Sequence, residues 1–470
     1  MDTVWPGTGA APAALVAAVA SPYERVGFVP QKGLVRNASL FQAGGSRSKT
    51  YPQGLLRLDA CGLVAASILA SRSRGGRGPS VRRRFFGNIF GPEEVIDPED
   101  PGRVEVCKEF QAMSGSFVTA EPSEFGWAVV SRHDASEQDG FWLGEAPGAI
   151  SQEWRELRLA KSSSETPGVS EGTGQSVVKV SVCDGELPQQ VPYCMALGYT
   201  KSMCAAALTG AHLQGALLLE DGIPEMRALV IGLGAGSIPL WLEHTFPSGK
   251  MIVDALEIDP AVVKVATGAM GFPKEAVRDA QTATAAAQDA AACGEALRVY
   301  GIPGEDFVDA LAASPEPCKY DFVFIDAFDK GGKVPPVLVD PSGTFLRSLN
   351  TVLTPNATVM MNLLVGMTGT GSSGGPAEIE AMVSAIHETC CNDTSEVFTV
   401  RTPINESSGN QLYGFLRAGR DKRSGPLKEA LRASAEAVNA NFPEDSLGKK
   451  IRFELARRVV FAYQNWPKET

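Results

Sequence analysis

The sequence lacks several features that would place it in whole classes of protein. No apolar run reaches the roughly 18 residues that a membrane-spanning helix needs, so we expect no membrane partner. The nine cysteines include no C-x-x-C pair, and Cys390 and Cys391 are adjacent, which suits neither a disulfide framework nor zinc-ligand spacing. The four histidines have no partner at metal-site spacing. We therefore expect free thiols and no metal site.

Positive charge is scarce beyond the first 90 residues. Those residues carry twelve Lys and Arg against three acidic residues, a charge of +9, so the other 380 residues carry −20 of the total of −11. Nucleic-acid binding that is independent of sequence needs clustered positive charge, so an acidic body without a basic stripe argues against a nucleic-acid partner. The hydrophobic share of 44% and the charged share of 21% are those of a folded globular protein.

Residues 1–90 have the composition of a targeting segment. They are rich in Ala, Gly, Ser and Arg, and they close with the stretch SRSRGGRGPSVRRRFFGN. An arginine-rich, serine-rich and acid-poor segment is typical of organelle transit peptides. We expect plastid localisation, with cytoplasmic or mitochondrial localisation as alternatives. A disordered extension on a cytosolic protein would have the same composition.

The rest of the chain divides into three regions. Residues 91–192 contain β-branched segments between turn residues, which predicts a small β-rich domain. Residues 193–420 alternate strands and helices, which predicts an α/β fold with a doubly wound parallel sheet. Residues 421–470 predict closing helices near 424–440 and 446–463.

Several segments of the α/β region are informative in themselves. A helical period begins at residue 193, and the Ala-rich stretch 273–297 predicts an exposed helix. The segments RALVIGLG, MIVDALEID, YDFVFIDAF and ATVMMNLLV are continuous apolar runs, as expected for strands covered on both faces. EVFTVRT and QLYGFLRAG predict an antiparallel pair near the end.

The strongest local signal is LVIGLGAGSIPL followed by ALEIDP. A buried strand that ends at Gly232, Gly234 and Gly236 and turns into a helix lets a ligand lie against the backbone. Glu257 follows 25 residues after Gly232, at the end of the next strand, where a carboxylate can accept both hydroxyls of a ribose. This combination predicts a nucleotide-type cofactor site.

The spacing of the glycines separates two cofactor classes. The dinucleotide fingerprint G-x-G-x-x-G would need a glycine where this chain has Ser237. The chain reads G-x-G-x-G, which is typical of S-adenosyl-L-methionine sites and favours that cofactor over a nicotinamide or a flavin. A tight turn without a ligand is the remaining interpretation.

The motifs also resemble a known family. RALVIGLGAGSIPLWLEHTFP, VDALEIDPAVVKVATGAMGF and the segment from YDFVFIDAFDKGG to ATVMMNLL are similar to the spermidine-synthase-like group of class I methyltransferases with a Rossmann-like sheet. Within that group the sequence is most similar to the methyltransferase-like 13 type, which methylates lysine and the N-terminus of a translation elongation factor. The resemblance covers about residues 193–417.

The resemblance implies a set of cofactor contacts. The backbone around the three glycines would hold the methionine part, and Glu257 would hold the ribose, with Ile258 and Asp259 beside it. An acidic residue before Gly304 would bond the adenine amino group, but this chain has Pro303 there. Glu305, Asp306 or backbone groups could supply that contact instead.

The fourth strand ends in the D-x-x-D pair Asp326 and Asp329. In spermidine synthases the corresponding pair binds and deprotonates the attacking amine, and lysine methylation also needs an amine without its extra proton. The resemblance implies that both residues are catalytic and that Asp326 faces cofactor and substrate. A helix-capping Asp in the segment DAFDKGG is the structural alternative.

Two departures favour methylation over aminopropyl transfer. The Tyr-His-Glu segment of aminopropyltransferases is replaced by Tyr199-Thr200-Lys201, and the loop after Asp329 reads KGGKVPPVLVD instead of a compact gate. We expect a methyltransferase that acts on an amine of a protein, with a polyamine aminopropyltransferase and an inactive structural member of the fold as alternatives. Related proteins are often dimers, so the resemblance also implies a homodimer.

Overall fold

Two β-sheets organise the part of the chain that the computed structural model describes. The described residues are 115–134, 149–160, 173–219, 222–292, 294–329, 333–366, 375–390, 395–403 and 408–441. All of them fall within one unit of the chain, Ser80–Thr470. The predicted targeting segment and the helix predicted near 446–463 lie outside the described residues.

The first sheet has five antiparallel strands in the order β1-β2-β3-β4-β5. They are β1 Ser116–Ser123, β2 Gly126–Asp134, β3 Ala149–Ala160, β4 Thr173–Cys183 and β5 Gln189–Met195. The predicted β-rich character of this region is thus confirmed. The helical period predicted from residue 193 is wrong at its start, because residues up to Met195 pair with β4 and the helix begins only at Gly198.

The second sheet has eight strands in the order β12-β13-β11-β10-β6-β7-β9-β8. They are β6 Met226–Ile231, β7 Met251–Leu256, β8 Val277–Arg278, β9 Leu297–Tyr300, β10 Tyr320–Ile325, β11 Leu353–Gly366, β12 Glu396–Pro403 and β13 Ser408–Leu416. The strands from β8 to β11 run parallel, and β13 lies antiparallel between β11 and β12. The four predicted apolar strands and the closing antiparallel pair are confirmed.

Helices cover both faces of this sheet, which makes it doubly wound as predicted. The helices are α1 Gly198–Leu213, α2 Ser237–Thr245, α3 Pro260–Gly268, α4 Ala283–Ala292, α5 Gly304–Ala312, α6 Phe345–Val352, α7 Pro376–Cys390 and α8 Leu427–Asn441. Successive residues of β6 point to opposite faces, so Val230 packs in the core with α1, α2 and α8, and Leu229 packs in the core with α4 to α7. No described helix has the length and apolarity to cross a membrane.

The Ala-rich stretch 273–297 differs from its prediction as one exposed helix. A short 3-10 turn and strand β8 occupy its first part, and α4 is confined to Ala283–Ala292. Ala286, Ala287 and Ala290 are buried in the core of the sheet's second face. Alanine permits this close packing because its side chain is small, so a polar-looking sequence conceals one buried helix stripe.

The strand order reverses beside β6, and this reversal positions the candidate site. From β6 the chain continues outward through β7 and β9, and it then returns to β10 on the other side of β6. In open α/β sheets a crevice for ligands lies outside the carboxyl ends of the strands at such a switch point. The residues that follow Ile231 and Ile325 therefore border the same crevice.

The five-stranded sheet packs against α3 beside that crevice. Its inward side chains Val130, Leu157 and Val178 share one apolar cluster with Val262 of α3 and with Ala235 from the glycine segment. This contact brings the first residues of β4 next to the turn that follows β6.

Candidate active site

All three glycines of the glycine segment lie against neighbouring parts of the protein, Gly236 against the ring of Phe272. Gly232 and Gly234 have φ values of 97° and 54°, in the left-handed region that favours glycine. A Cβ on Gly232 would collide with the backbone carbonyl oxygen of Asp326, and one on Gly234 would collide with the hydroxyl of Ser176. The prediction assigned the missing side chains to ligand access, and the structure adds a second reason, close packing within the protein.

The third glycine begins the following helix. Gly236 is the N-cap residue of α2, with a φ of 79°, and its backbone N–H bonds the carbonyl of Leu233. The Oγ atom of Ser176 in β4 accepts a hydrogen bond of 3.2 Å from the backbone N–H of Ala235. The five-stranded sheet thus contributes one hydroxyl that holds the turn in place.

Glu257 lies directly after β7, and its carboxylate faces the same turn. Its Oε2 atom accepts from the N–H of Leu233 at 3.0 Å, and its Oε1 atom accepts from the N–H of Asp259 at 3.0 Å. Burial raises the pKa of Glu257, and the backbone N–H bonds oppose that effect. A carboxylate has about four acceptor positions, and the N–H groups of Leu233, Gly234 and Asp259 use three of them, so acceptor capacity remains for the predicted ribose contact.

The two residues beside Glu257 differ in what they offer. Ile258 is 49% exposed, so it presents an apolar side chain at the edge of the crevice. Asp259 is buried and caps α3, because its Oδ1 atom accepts from the N–H of Ala261 at 2.9 Å. Its side chain therefore serves the helix, and its backbone N–H serves Glu257.

The predicted adenine side of the site is formed by the start of α5. Gly304 is the first residue of that helix and is buried against Ile231, to whose Cγ2 atom an added Cβ would approach 2.8 Å. Pro303 is the N-cap and makes no side-chain capping bond. Of the two acids in the first turn, Glu305 is half-buried and Asp306 is exposed. A carboxylate at the position before the glycine is absent, as the sequence indicated.

Asp326 lies at the carboxyl end of β10, opposite the first glycine. Its backbone N–H bonds the carbonyl of Ile231 at 2.9 Å, which joins the ends of β6 and β10. Its Oδ1 atom accepts from the side-chain amide of Asn362 at 2.8 Å, and its Oδ2 atom accepts from the hydroxyl of Tyr199 at 3.2 Å. Burial raises the pKa of Asp326, and the two hydrogen bonds lower it to a smaller extent.

Asp329 has a different environment from Asp326. Its side chain is exposed, and its Oδ1 atom accepts from the backbone N–H of Lys333 at 2.9 Å, while its own N–H bonds the carbonyl of Lys333. The carboxylate therefore bonds the main chain four residues further along the sequence. Residues 327–329 form no helix, so Asp326 is not the helix cap of the structural alternative, and residues 330–332 after Asp329 lie outside the described residues. The catalytic role of Asp329 stays a prediction.

The structure adds residues that the motifs did not identify. Tyr199 and Asn362 hold the carboxylate of Asp326, Ser176 holds the glycine turn, and the amide of Asn410 bonds Asn362. A single amide within the apolar segment ATVMMNLLV is a signal that could have identified Asn362. Ser176 carries no such signal, because only the packing of two sheets brings it to the turn.

The described residues provide no alternative metal site. They contain no group of three or more His, Cys, Asp or Glu side chains that could hold a metal ion.

Five cysteines among the described residues are free thiols. Cys204 of α1 is buried close to Asp326, and both its burial and the carboxylate charge raise the pKa of this thiol well above the usual value.

Comparison with known proteins confirms the resemblance expected from the motifs. No protein-family model matches the chain. The eEF1A lysine and N-terminal methyltransferase of Homo sapiens is 34% identical over 155 residues, and that of Xenopus laevis is 32% identical over 157 residues. These matches cover 32% of this chain and 18% and 19% of the two relatives, so the chain matches less than a fifth of the length of either relative.

Solved structures give a similar set of neighbours. Human methyltransferase-like protein 13 in complex with SAH is 23% identical with a TM-score of 0.36, and the match covers 52% of this chain and 90% of that one. A probable spermidine synthase from Corynebacterium glutamicum is 11% identical with a TM-score of 0.40, and the match covers 69% of this chain and 87% of that one.

Proposed function

We propose that this chain is an S-adenosyl-L-methionine-dependent methyltransferase that acts on an amine of a protein. The observation that carries the proposal is the position of Asp326, a half-buried carboxylate whose backbone N–H bonds the carbonyl of Ile231 at the end of β6, directly before the glycine segment. The names of the curated relatives, which are lysine and N-terminal methyltransferases, support the choice of a protein amine.

The residues at the switch point fit the proposed donor. The backbone of the glycine segment would hold the methionine part, the remaining acceptor capacity of Glu257 would hold the ribose, and Ile258 offers an exposed apolar side chain beside them. When bound, the donor supplies an electrophilic methyl group on a sulfonium sulfur. Because that group is already activated, the protein contributes mainly positioning and removal of a proton.

Asp326 is suited to accept that proton. Its side-chain hydrogen-bond partners among the described residues, Asn362 and Tyr199, are neutral donors, so the carboxylate charge is not balanced by a bonded cation. A cationic ammonium group is therefore an attractive substrate for this position. Burial raises the pKa of Asp326, which makes the carboxylate a better base than an exposed aspartate. A lysine side chain or an N-terminal amine would lose its proton here before it attacks the methyl group.

Donor selectivity is the first test of the proposal. Decarboxylated S-adenosylmethionine lacks the carboxylate that a methyltransferase donor retains, so calorimetric titration of both compounds separates methyl transfer from aminopropyl transfer. We expect the carboxylated form to bind at least tenfold more tightly, about 1.4 kcal/mol. Preference for the decarboxylated form would support the aminopropyltransferase, and binding of neither would support an inactive member of the fold.

The acceptor is tested with purified eEF1A, the substrate in the relatives' names. Transfer of a radiolabelled methyl group is expected with the unaltered chain and is expected to fall at least a hundredfold with Asp326→Asn, since the variant keeps the shape of the side chain but cannot take up a proton. Asp340→Asn is a matched control, because Asp340 is an exposed turn residue bonded to Ser342. Equal loss in both variants would contradict the role of Asp326.

We also propose that residues 1–90 direct the protein to a plastid. The support is their composition, with +9 of charge and abundant Arg, Ser and Ala. Fusion of residues 1–90 to a fluorescent protein should place it in plastids of an algal or plant cell. Diffuse cytoplasmic or mitochondrial fluorescence would select one of the alternatives.

A further inference from the structure

We propose that Asn362 and Asn410 are positioning residues that hold the carboxylate of Asp326 in one orientation and keep an N–H group, not a carbonyl oxygen, directed at it. The inference rests on the proposed function, which assigns proton transfer to Asp326. It extends the site from the parallel strand β10 across β11 to the antiparallel strand β13.

The three side chains form a continuous chain of hydrogen bonds. Asn410 donates from its Nδ2 atom to the Oδ1 atom of Asn362 at 3.0 Å, and Asn362 donates from its Nδ2 atom to the Oδ1 atom of Asp326 at 2.8 Å. Asn362 is 1% exposed and Asn410 is 6% exposed. Asn362 lies opposite Leu412 in the register of β11 and β13, so Asn410 is its diagonal neighbour two residues away.

The bond from Asn410 decides which end of the Asn362 amide faces Asp326. A primary amide has an acceptor end and a donor end of nearly equal size, and a simple rotation exchanges them. With the oxygen directed at Asp326, two acceptors would oppose each other in a buried place. The rotated state would break both hydrogen bonds, because the NH₂ group of Asn362 would then face the NH₂ group of Asn410, which now donates to the oxygen. The pair therefore selects the orientation in which the carboxylate is bonded.

A purely structural role does not explain why the hydrogen bonds from Asn410 and Asn362 lead to the carboxylate of Asp326. The neighbours of Asn362 along β11, Met360, Met361 and Leu363, are buried apolar residues, so a leucine at this position would suit the buried strand without the cost of burying an amide. The amides instead lead from β13 to one oxygen of the carboxylate that ends β10. The other oxygen is left to Tyr199, which also lies 3.4 Å from the carbonyl of Gln175 and so shares its single hydroxyl hydrogen between two acceptors. Asn362 therefore makes the more exclusive bond.

Among the described residues, two other titratable groups interact with Asp326, and both come from α1. Tyr199 donates to its Oδ2 atom, and the thiol of Cys204 lies within its electrostatic reach. Burial and the charge of Asp326 raise the pKa of both groups well above their usual values, so both stay protonated where Asp326 titrates. A change in the titration of Asp326 can therefore be assigned to the amides.

The test measures the titration of Asp326 directly, in the full chain and without any substrate. The Cγ resonance of Asp326 in selectively ¹³C-labelled protein reports its midpoint, and the Asp326→Asn spectrum assigns it. Asn362→Leu removes a hydrogen bond to a charged group, so we expect the midpoint to rise by about one pH unit, a tenfold gain in proton affinity. Asn410→Leu keeps Asn362 but removes the hydrogen bond that fixes the orientation of its amide. We therefore expect the midpoint of Asp326 to rise by less than in Asn362→Leu.

Gln214→Leu is the matched control. Gln214 is a fully buried amide bonded to Thr358 on the same strand β11, but it makes no contact with Asp326. Its removal is expected to lower thermal stability and to leave the midpoint of Asp326 unchanged. Unchanged midpoints in both asparagine variants, or an equal rise in the control, would overturn the proposal.

The unaltered protein provides the second measurement, which applies even when a variant does not fold. The side-chain ¹⁵N and ¹H resonances of Asn362 should shift with the same midpoint as the carboxylate of Asp326, because the N–H is bonded to it. Resonances that do not move with pH would overturn the proposal. Failure of the proposed function has a separate signature, since absence of methyl transfer with eEF1A leaves both titrations unaffected.

Discussion

At the scale of the residue, the position proposed for the proton acceptor, Asp326, carries an energetic cost. Its folded pKa lies above the usual value, so its contribution to stability is fully present below the unfolded pKa of about 3.9 and is lost as the pH rises through the folded pKa. Each unit of that rise corresponds to about 1.4 kcal/mol. The site thus retains a carboxylate that weakens the fold at neutral pH, which is expected for a group selected for chemistry.

Replacement of this carboxylate should therefore stabilise the protein while abolishing proton transfer. Asn at position 326 can still accept from Asn362 through its oxygen, so the main change is the loss of a buried charge. We expect Asp326→Asn to unfold at a higher denaturant concentration than the unaltered chain at pH 7, and the difference to vanish near pH 3.5. A variant that is less stable at pH 7 would show that the charge is compensated in the folded state.

Replacement of Glu257 should weaken cofactor binding, because both oxygens of its carboxylate accept backbone N–H groups. In Glu257→Gln one oxygen becomes an NH₂ group, which must face the backbone N–H of Leu233 or Asp259. We expect S-adenosyl-L-methionine binding, measured by calorimetry, to weaken at least tenfold. The exposed Glu275 provides the control Glu275→Gln, which should bind normally. Normal binding by Glu257→Gln would contradict the ribose role of this carboxylate.

At the scale of the element, the sequence predicted those strands whose apolar runs have no second interpretation. The strand containing Val230 and the glycine turn after it were predictable because buried parallel strands leave a continuous apolar pattern. The start of α1 was not, because residues up to Met195 fit a helical period and also pair with β4. Asn410 and Ser176 could not be assigned to the site, because each reaches it through pairing or packing that sequence periodicity does not encode.

The contact between β4 and the glycine turn gives a prediction about two elements together. Gly234→Ala places a Cβ against the hydroxyl of Ser176 and also strains a backbone with positive φ, so we expect a loss of at least 1 kcal/mol in unfolding free energy. Removal of the hydroxyl in the double variant with Ser176→Ala should recover part of that loss. Gly268→Ala is the control, since an added Cβ there meets open space. Strict additivity of the two substitutions would show that the contact carries no energy.

At the scale of the whole molecule, the described residues include a fully buried ion pair between two strands of the second sheet. Arg298 in β9 bonds both oxygens of Asp254 in β7 at 2.7 and 3.0 Å, and Tyr320 in β10 donates to the same carboxylate at 2.8 Å. Both members of the pair are 0% exposed. The pair lies among the apolar side chains under α4 and α5, so its loss should affect global unfolding and not a single loop.

Replacing only one member of this ion pair should lower the free energy of unfolding more than replacing both members. Arg298→Met leaves a buried carboxylate without its cation, and we expect a loss of about 3–5 kcal/mol in denaturant unfolding. The double variant with Asp254→Leu should be more stable than Arg298→Met alone, since no buried charge remains. Arg432→Met removes an exposed pair with Glu436 and should change stability by less than about 0.5 kcal/mol. A double variant less stable than the single one would refute this account.

The packing of Gly232 against the backbone of Asp326 has a consequence for how such a protein can diverge. One hydrogen bond and one steric contact fix the end of β10 to the turn after β6, so the separation of these two chain segments depends on main-chain atoms. Side chains elsewhere around the crevice can then be exchanged without altering that separation. If the proposed function holds, a lineage can acquire new acceptor preferences by such substitutions while the spacing of the two segments is inherited unchanged.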